Sequence, residues 1–148
     1  QLYDVLTSLP EQDRNISLIA GFVEAARHLD PDTANRLLDE AITDPILGPY
    51  FPLLQASTQI NEAGAERLIS SFANSHVKAW TYQYLCYGGV ANTIPVSVFK
   101  AIVLGVADLP DGSRIAVDLF SMHLYSLKSA KLDITAEMTS IGRGLLSR

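Results

Sequence analysis

The sequence has one cysteine, Cys86, so no intrachain disulfide can form. That usage fits a reducing compartment, and a cytoplasmic location is expected. Charged side chains are scarce, at 18% of residues, and the formal net charge is -5. The 11 lysines and arginines are scattered rather than gathered into a basic stripe, which argues against nucleic acid as a partner. No apolar run approaches the ~20 residues that span a bilayer, and no secretory signal pattern is visible, so no membrane partner is expected. The Asn15-Ile16-Ser17 triplet matches a glycosylation acceptor, but carries no argument without such a signal.

Motifs for chemistry are missing too. There is no Gly-rich loop ending in Gly-Lys-Ser/Thr to cradle phosphates, and Gly142-Arg143-Gly144 is too short for a dinucleotide fingerprint. Neither a His-Glu-x-x-His nor a Cys-x-x-Cys pair supplies zinc ligands. His28, His76 and His123 fall on three separate helical segments and read as structural. Cys86, in a Tyr-Leu-Cys-Tyr context, reads as a buried inert thiol. Asp39 and Glu40 are adjacent on one helix and point apart, while Asp108 and Asp111 flank a turn. No catalytic, cofactor-binding or metal-ligating residue is expected, nor a small-molecule ligand.

What is abundant is apolar surface at helical spacing. Hydrophobic residues make up 48% of the chain, enough for a sizeable core and too many for disorder. Leu2, Val5, Leu6 and Leu9 form a short face stopped by Pro10. Ile16, Ile19, Phe22, Val23 and Ala26 form a second stripe, with Asp13 as its expected cap. Asp30-Pro31 opens a third helix, because Asp accepts orphan N–H groups and Pro needs none. Asp44-Pro45 opens a segment that Gly48, Pro49 and Pro52 should bend or break before Ser57. Asn61 is expected to cap a helix through Leu68 and Phe72. Ser75 should cap another through Val77, Trp80, Thr81, Tyr84 and Leu85, ended by Gly88-Gly89. Pro95 opens a helix through Phe99, Ile102 and Val106. Strict alternation is absent between Val90 and Val106, which rejects the competing strand reading. Leu109-Pro110-Asp111-Gly112 makes a turn, and a strongly apolar helix follows to Lys128. Ile134, Met138, Ile141 and Leu145 then lie on one line, which should need covering by a neighbour.

The helices repeat. Arg36-Leu37-Leu38 overlays Arg67-Leu68-Ile69 at an offset of 31 residues, carrying Ala34 onto Ala65, Ile46 onto Val77 and Leu54 onto Leu85. Ile102-Val103 follows Leu68-Ile69 at an offset of 34, and the longer turn should displace the second helix of that copy further. On this period and hairpin layout the chain resembles the helical-hairpin solenoids, such as HEAT, armadillo and tetratricopeptide arrays. It carries neither the tetratricopeptide Trp and Gly-Tyr positions nor the ankyrin Thr-Pro-Leu-His signature.

The expected fold is therefore all-α: antiparallel hairpins stacked as a right-handed α-solenoid-like array, with a compact irregular bundle as the alternative. The units run approximately over 1–29, 31–58, 61–88 and 95–128, with a terminal helix at 133–148. Gln1 in place of Met, and a helical pattern running up to Arg148, lead us to expect a segment of a longer protein. Tyr50, Trp80, Tyr82 and Tyr87 are the candidate interface, with Trp80 and Tyr84 sharing one face and Trp80 weighted towards the core. A protein-interaction scaffold, sensor or regulatory segment is the expected function, with a protein or another domain of the same chain as partner. The alternative is a helical accessory domain of a multidomain enzyme, such as a signalling or defence-type nucleotide hydrolase.

Overall fold

A computed structural model describes residues 2–148; the side chains of Leu2 and Gln12 lie outside the described set, and with them the expected place of Leu2 on the first apolar face. Among the described residues there is no strand. The α-helices are α1 (Leu2–Ser8), α2 (Ile16–Leu29), α3 (Pro31–Ala41), α4 (Phe51–Ala56), α5 (Glu62–Ser70), α6 (Val96–Ala107), α7 (Gly112–Ser129) and α8 (Ala136–Leu146). Shorter 3-10 segments interrupt them, and one long 3-10 helix covers Ala79–Cys86. The segment from Val90 to Val106, for which the sequence rejects the strand reading, is helical: a 3-10 turn at Val90–Thr93, then α6.

Local chemistry sets the boundaries. Asp30 accepts from the Thr33 N–H and has Pro31 behind it; Asn61 accepts from the Gly64 N–H. The prolines after Asp44 break their helix as expected, leaving a 3-10 turn at Gly48–Tyr50 before α4. Two expected caps are displaced. Asn15, not Asp13, caps α2 by accepting from the Ser17 N–H. Asn74, not Ser75, accepts the His76 N–H, and that turn leads into the 3-10 helix.

Helix α2 turns back on α3 through Asp30 alone, and α6 turns back on α7 through residues 108–111. Helix α4 packs against α2 on one side and the Ala79–Cys86 helix on the other, and the latter packs against α7. Elsewhere α5 meets α6, and α6 meets α8. One continuous core results, with Phe51, Leu54, Leu68, Tyr82, Phe99, Ile102, Val106, Leu119 and Ile141 among its members.

Four expectations about packing need correction. Leu68 and Ile102 are fully buried as expected, but in the first copy Leu38 takes the deep position and Leu37 is half-exposed. Phe22 is exposed, because α2 buries the Ile16, Ile19, Ala20 and Val23 side instead. The line on α8 is already covered: Met138 and Ile141 are buried against α6 and α7, and only Ile134, ahead of the helix, stands out in solvent. Lys100 Nζ donating to Ser140 Oγ at 2.8 Å and Arg148 paired with Asp108 at 2.7 Å hold α8 in place.

The fourth concerns residues 75–88, expected to form an α-helix. Ala79, Tyr82 and Leu85 are buried and sit three apart. A 3-10 helix repeats every 3.0 residues and keeps such a set in line, whereas an α-helix would rotate each by about 60°. The 3–4 stripe of Val77, Trp80, Thr81, Tyr84 and Leu85 therefore does not form one inner face.

Candidate functional site: an aromatic-walled groove over α4

The 3-10 geometry decides which aromatics face outward. Tyr82 is 0% exposed, stacked on Phe72 at 5.2 Å, with its hydroxyl 2.6 Å from Ser71 Oγ. Its place in the candidate interface is corrected: it is a core residue. Trp80, named for the interface but weighted towards the core, is 45% exposed, and the exposed Tyr84 neighbours it with ring centroids 6.3 Å apart. Tyr87 is 56% exposed and receives a hydrogen bond from Gln83 Nε2 at 2.9 Å. Gly88 and Gly89, at φ of +64° and +68°, end the helix just beyond it in the left-handed region that glycine tolerates.

Tyr50 is also buried, which corrects its place in the interface set. Its ring meets Trp80 edge-on at 6.1 Å and lies 4.4 Å from Lys78 Nζ. Its hydroxyl donates to Glu11 Oε1 at 3.1 Å, and Lys78 Nζ donates to the same hydroxyl at 2.8 Å. Lys78 also pairs with Glu11 and is the leading cause that holds that carboxyl below its ordinary pKa. Tyr50 is thus a support behind Trp80.

Tyr84 and Tyr87 form one wall of a groove of about 470 Å³. Ser17, Gly21 and Glu24 of α2 form the opposite wall, and Leu53 and Ala56 of α4 form the floor. Nothing lies within 4 Å of where a side chain would start at Gly21, so that wall is open. The groove exists because α4 is only six residues long and sits back between two longer neighbours. Sequence reasoning missed Tyr84 as a surface residue; the three-residue spacing of Ala79, Tyr82 and Leu85 was the signal that identifies it.

Cys86 and His123 lie outside the lining of this groove. Burial, helped by Asp118, pushes the Cys86 thiol up to about 11, so it stays protonated. His123 is buried against Phe99 with ring centroids 4.3 Å apart, and burial lowers its pKa. Among the described residues no group of three His, Cys, Asp or Glu side chains is arranged to hold a metal ion, and no helix is long and apolar enough to cross a membrane. Comparison with protein-family models, curated proteins and solved structures finds no match for this chain.

Proposed function

We propose that the chain is a helical-repeat scaffold that binds a partner polypeptide in the groove between α2 and the Ala79–Cys86 helix. The observation that carries this reading is the pair Tyr84 and Tyr87, both exposed, rising beside an apolar floor. Exposed Tyr and Trp offer large contact area at small entropic cost, which is why they concentrate binding energy.

A repeat architecture is supported by burial that recurs at similar offsets, although the deep positions Leu38 and Leu68 stand 30 apart rather than 31. At an offset of 31 the caps Asp30 and Asn61 coincide, as do buried Ala34 and Ala65, Phe51 and Tyr82, and Leu54 and Leu85. At an offset of 34, Leu68 falls on Ile102, Tyr82 on Ala116, and Leu85 on Leu119, all buried. Each unit leans on its neighbours, as stacked hairpins do.

A photo-crosslinking residue at position 87 tests the assignment in cells that make the protein. It should capture a defined partner that Tyr84→Ser abolishes while the melting temperature holds. Equal capture from an exposed control position such as Tyr125 would sink the reading.

A further inference from the structure

Helix α2 carries two apolar stripes. One, through Ile16, Ile19, Val23 and Ala26, is buried in the core. The other runs through Leu18, Phe22, Ala25 and Leu29, and all four are exposed. Their spacing of four, three and four residues keeps them in line down the helix, as in the seam of a helix pair. None of the four lines the aromatic-walled groove, so the seam is a separate surface.

A second apolar surface lies just beyond α7. That helix ends in a turn in which the Leu132 N–H donates to the Leu127 carbonyl and the Lys131 N–H to the Lys128 carbonyl, each at 3.0 Å. Lys131 takes the left-handed conformation at φ +57°, where glycine is usual at a helix end of this kind. Leu124, Tyr125, Leu132 and Ile134 then surround a hollow of about 720 Å³, which Lys128, Lys131 and Asp133 also line. Tyr125, Leu132 and Ile134 are mostly exposed. Neither lysine has an ion-pair partner among the described residues. The two surfaces stand far apart in the packing order. Helix α2 packs on α4, α4 on the Ala79–Cys86 helix, and that helix on α7, so α2 and α7 are the two ends of one row.

Charge decides what each surface can meet. Residues 1–40 hold eight carboxylates and three arginines, which is the whole net charge of -5; residues 41–148 hold eight of each sign. Beside the exposed seam, residues 15–35 set Glu24, Asp30 and Asp32 against Arg27 alone. Residues 119–148 reverse the balance, with four cations and two carboxylates. Laying α2 on the α2 of another copy would bring like charges together, whereas laying it on the α7–α8 corner brings opposite charges together. We propose that the seam's occupant is a second copy of this chain, whose α7–α8 corner docks on it through Tyr125, Leu132 and Ile134, with Lys128 and Lys131 facing the acidic N-terminal third. The contact is head to tail. Each copy keeps one surface of either kind free, so further copies add unless the rotation closes a ring.

Sedimentation equilibrium of the full chain tests it, with Phe22→Glu and Ile134→Glu as the two lesions. Both side chains are exposed, so each variant should melt within a few degrees of the parent; Leu18→Glu and Leu132→Glu replace any that does not. The parent should grow past a dimer as its concentration rises, and each variant alone should associate at least tenfold more weakly. An equimolar mixture of the two should form a pair and stop there, because each supplies the surface the other has lost. Salt at roughly 1 M, which screens charge beyond about 3 Å, should weaken that pair several-fold. A parent that stays monomeric overturns the proposal, as does a mixture no heavier than its components. Ile134→Glu associating as strongly as the parent, and more strongly in salt, overturns it in favour of an α2–α2 dimer.

Discussion

Tyr82 donates its hydroxyl proton to Ser71, because Ser71 has already committed its own to the Leu68 carbonyl at 2.7 Å. Tyr82→Phe should therefore lower stability by about 0.5–1.5 kcal/mol, the net worth of one buried hydrogen bond. Leu68→Ala, which empties a fully buried site in the same cluster, should lower it by ~2–5 kcal/mol. Urea unfolding of both variants checks the ranking. His123 makes a different prediction. Burial lowers its pKa in the folded chain, and Nδ1 has no partner there. Below the unfolded value of about 6.5 the unfolded chain binds more protons than the folded one. The contribution is thus fully present above that pH and is lost as pH falls towards the depressed folded value. His123→Leu should flatten this acid-side decline of the urea midpoint, and an unchanged slope would show that other groups govern it.

At the scale of elements, the helices with strong chemical punctuation were legible in advance. Asp30-Pro31, Asn61 and Pro95 mark starts that the structure keeps, because a cap or a missing N–H acts within one turn and needs no tertiary help. The Ala79–Cys86 helix was not legible as 3-10. Its eight residues span about 16 Å, against about 12 Å as α-helix, a stretch set by packing between α4 and α7 rather than by local preference. That one misread period hid Tyr84 and misplaced Tyr82. The unpaired Gln55 Oε1 was illegible for another reason: only tertiary packing shows that a buried glutamine oxygen has no donor. The turn into α7 is sterically tight, since a Cβ on Gly112 would fall 1.8 Å from the Val106 carbonyl oxygen. Gly112→Ala should push the α6–α7 hairpin apart and lower the melting temperature by several degrees, whereas Gly21→Ala, mid-helix with open space above it, should raise it by about 2–4 °C.

Across the whole molecule, apolar side chains left in solvent gather on α2, as Leu18, Phe22 and Leu29, and near the other end, as Tyr125, Leu132 and Ile134. Those on α2 follow helical spacing and make a stripe. Concentration-dependent sedimentation should show weak self-association, which Phe22→Glu suppresses and Met138→Leu, inside the packed α8 interface, does not. The Ala79–Cys86 helix bears on integrity as well as recognition. It is the main bridge between α4 on one side and α7 on the other, and its i to i+3 hydrogen bonds have poorer geometry than those of the α-helices it joins. A bridge with weaker bonds is where a cooperative structure parts first. Native-state hydrogen exchange should find its amides opening at lower free energy than those of the α2–α3 and α6–α7 hairpins. The molecule would then behave as two blocks hinged on a fracture line, and the aromatic wall would ride on the line itself.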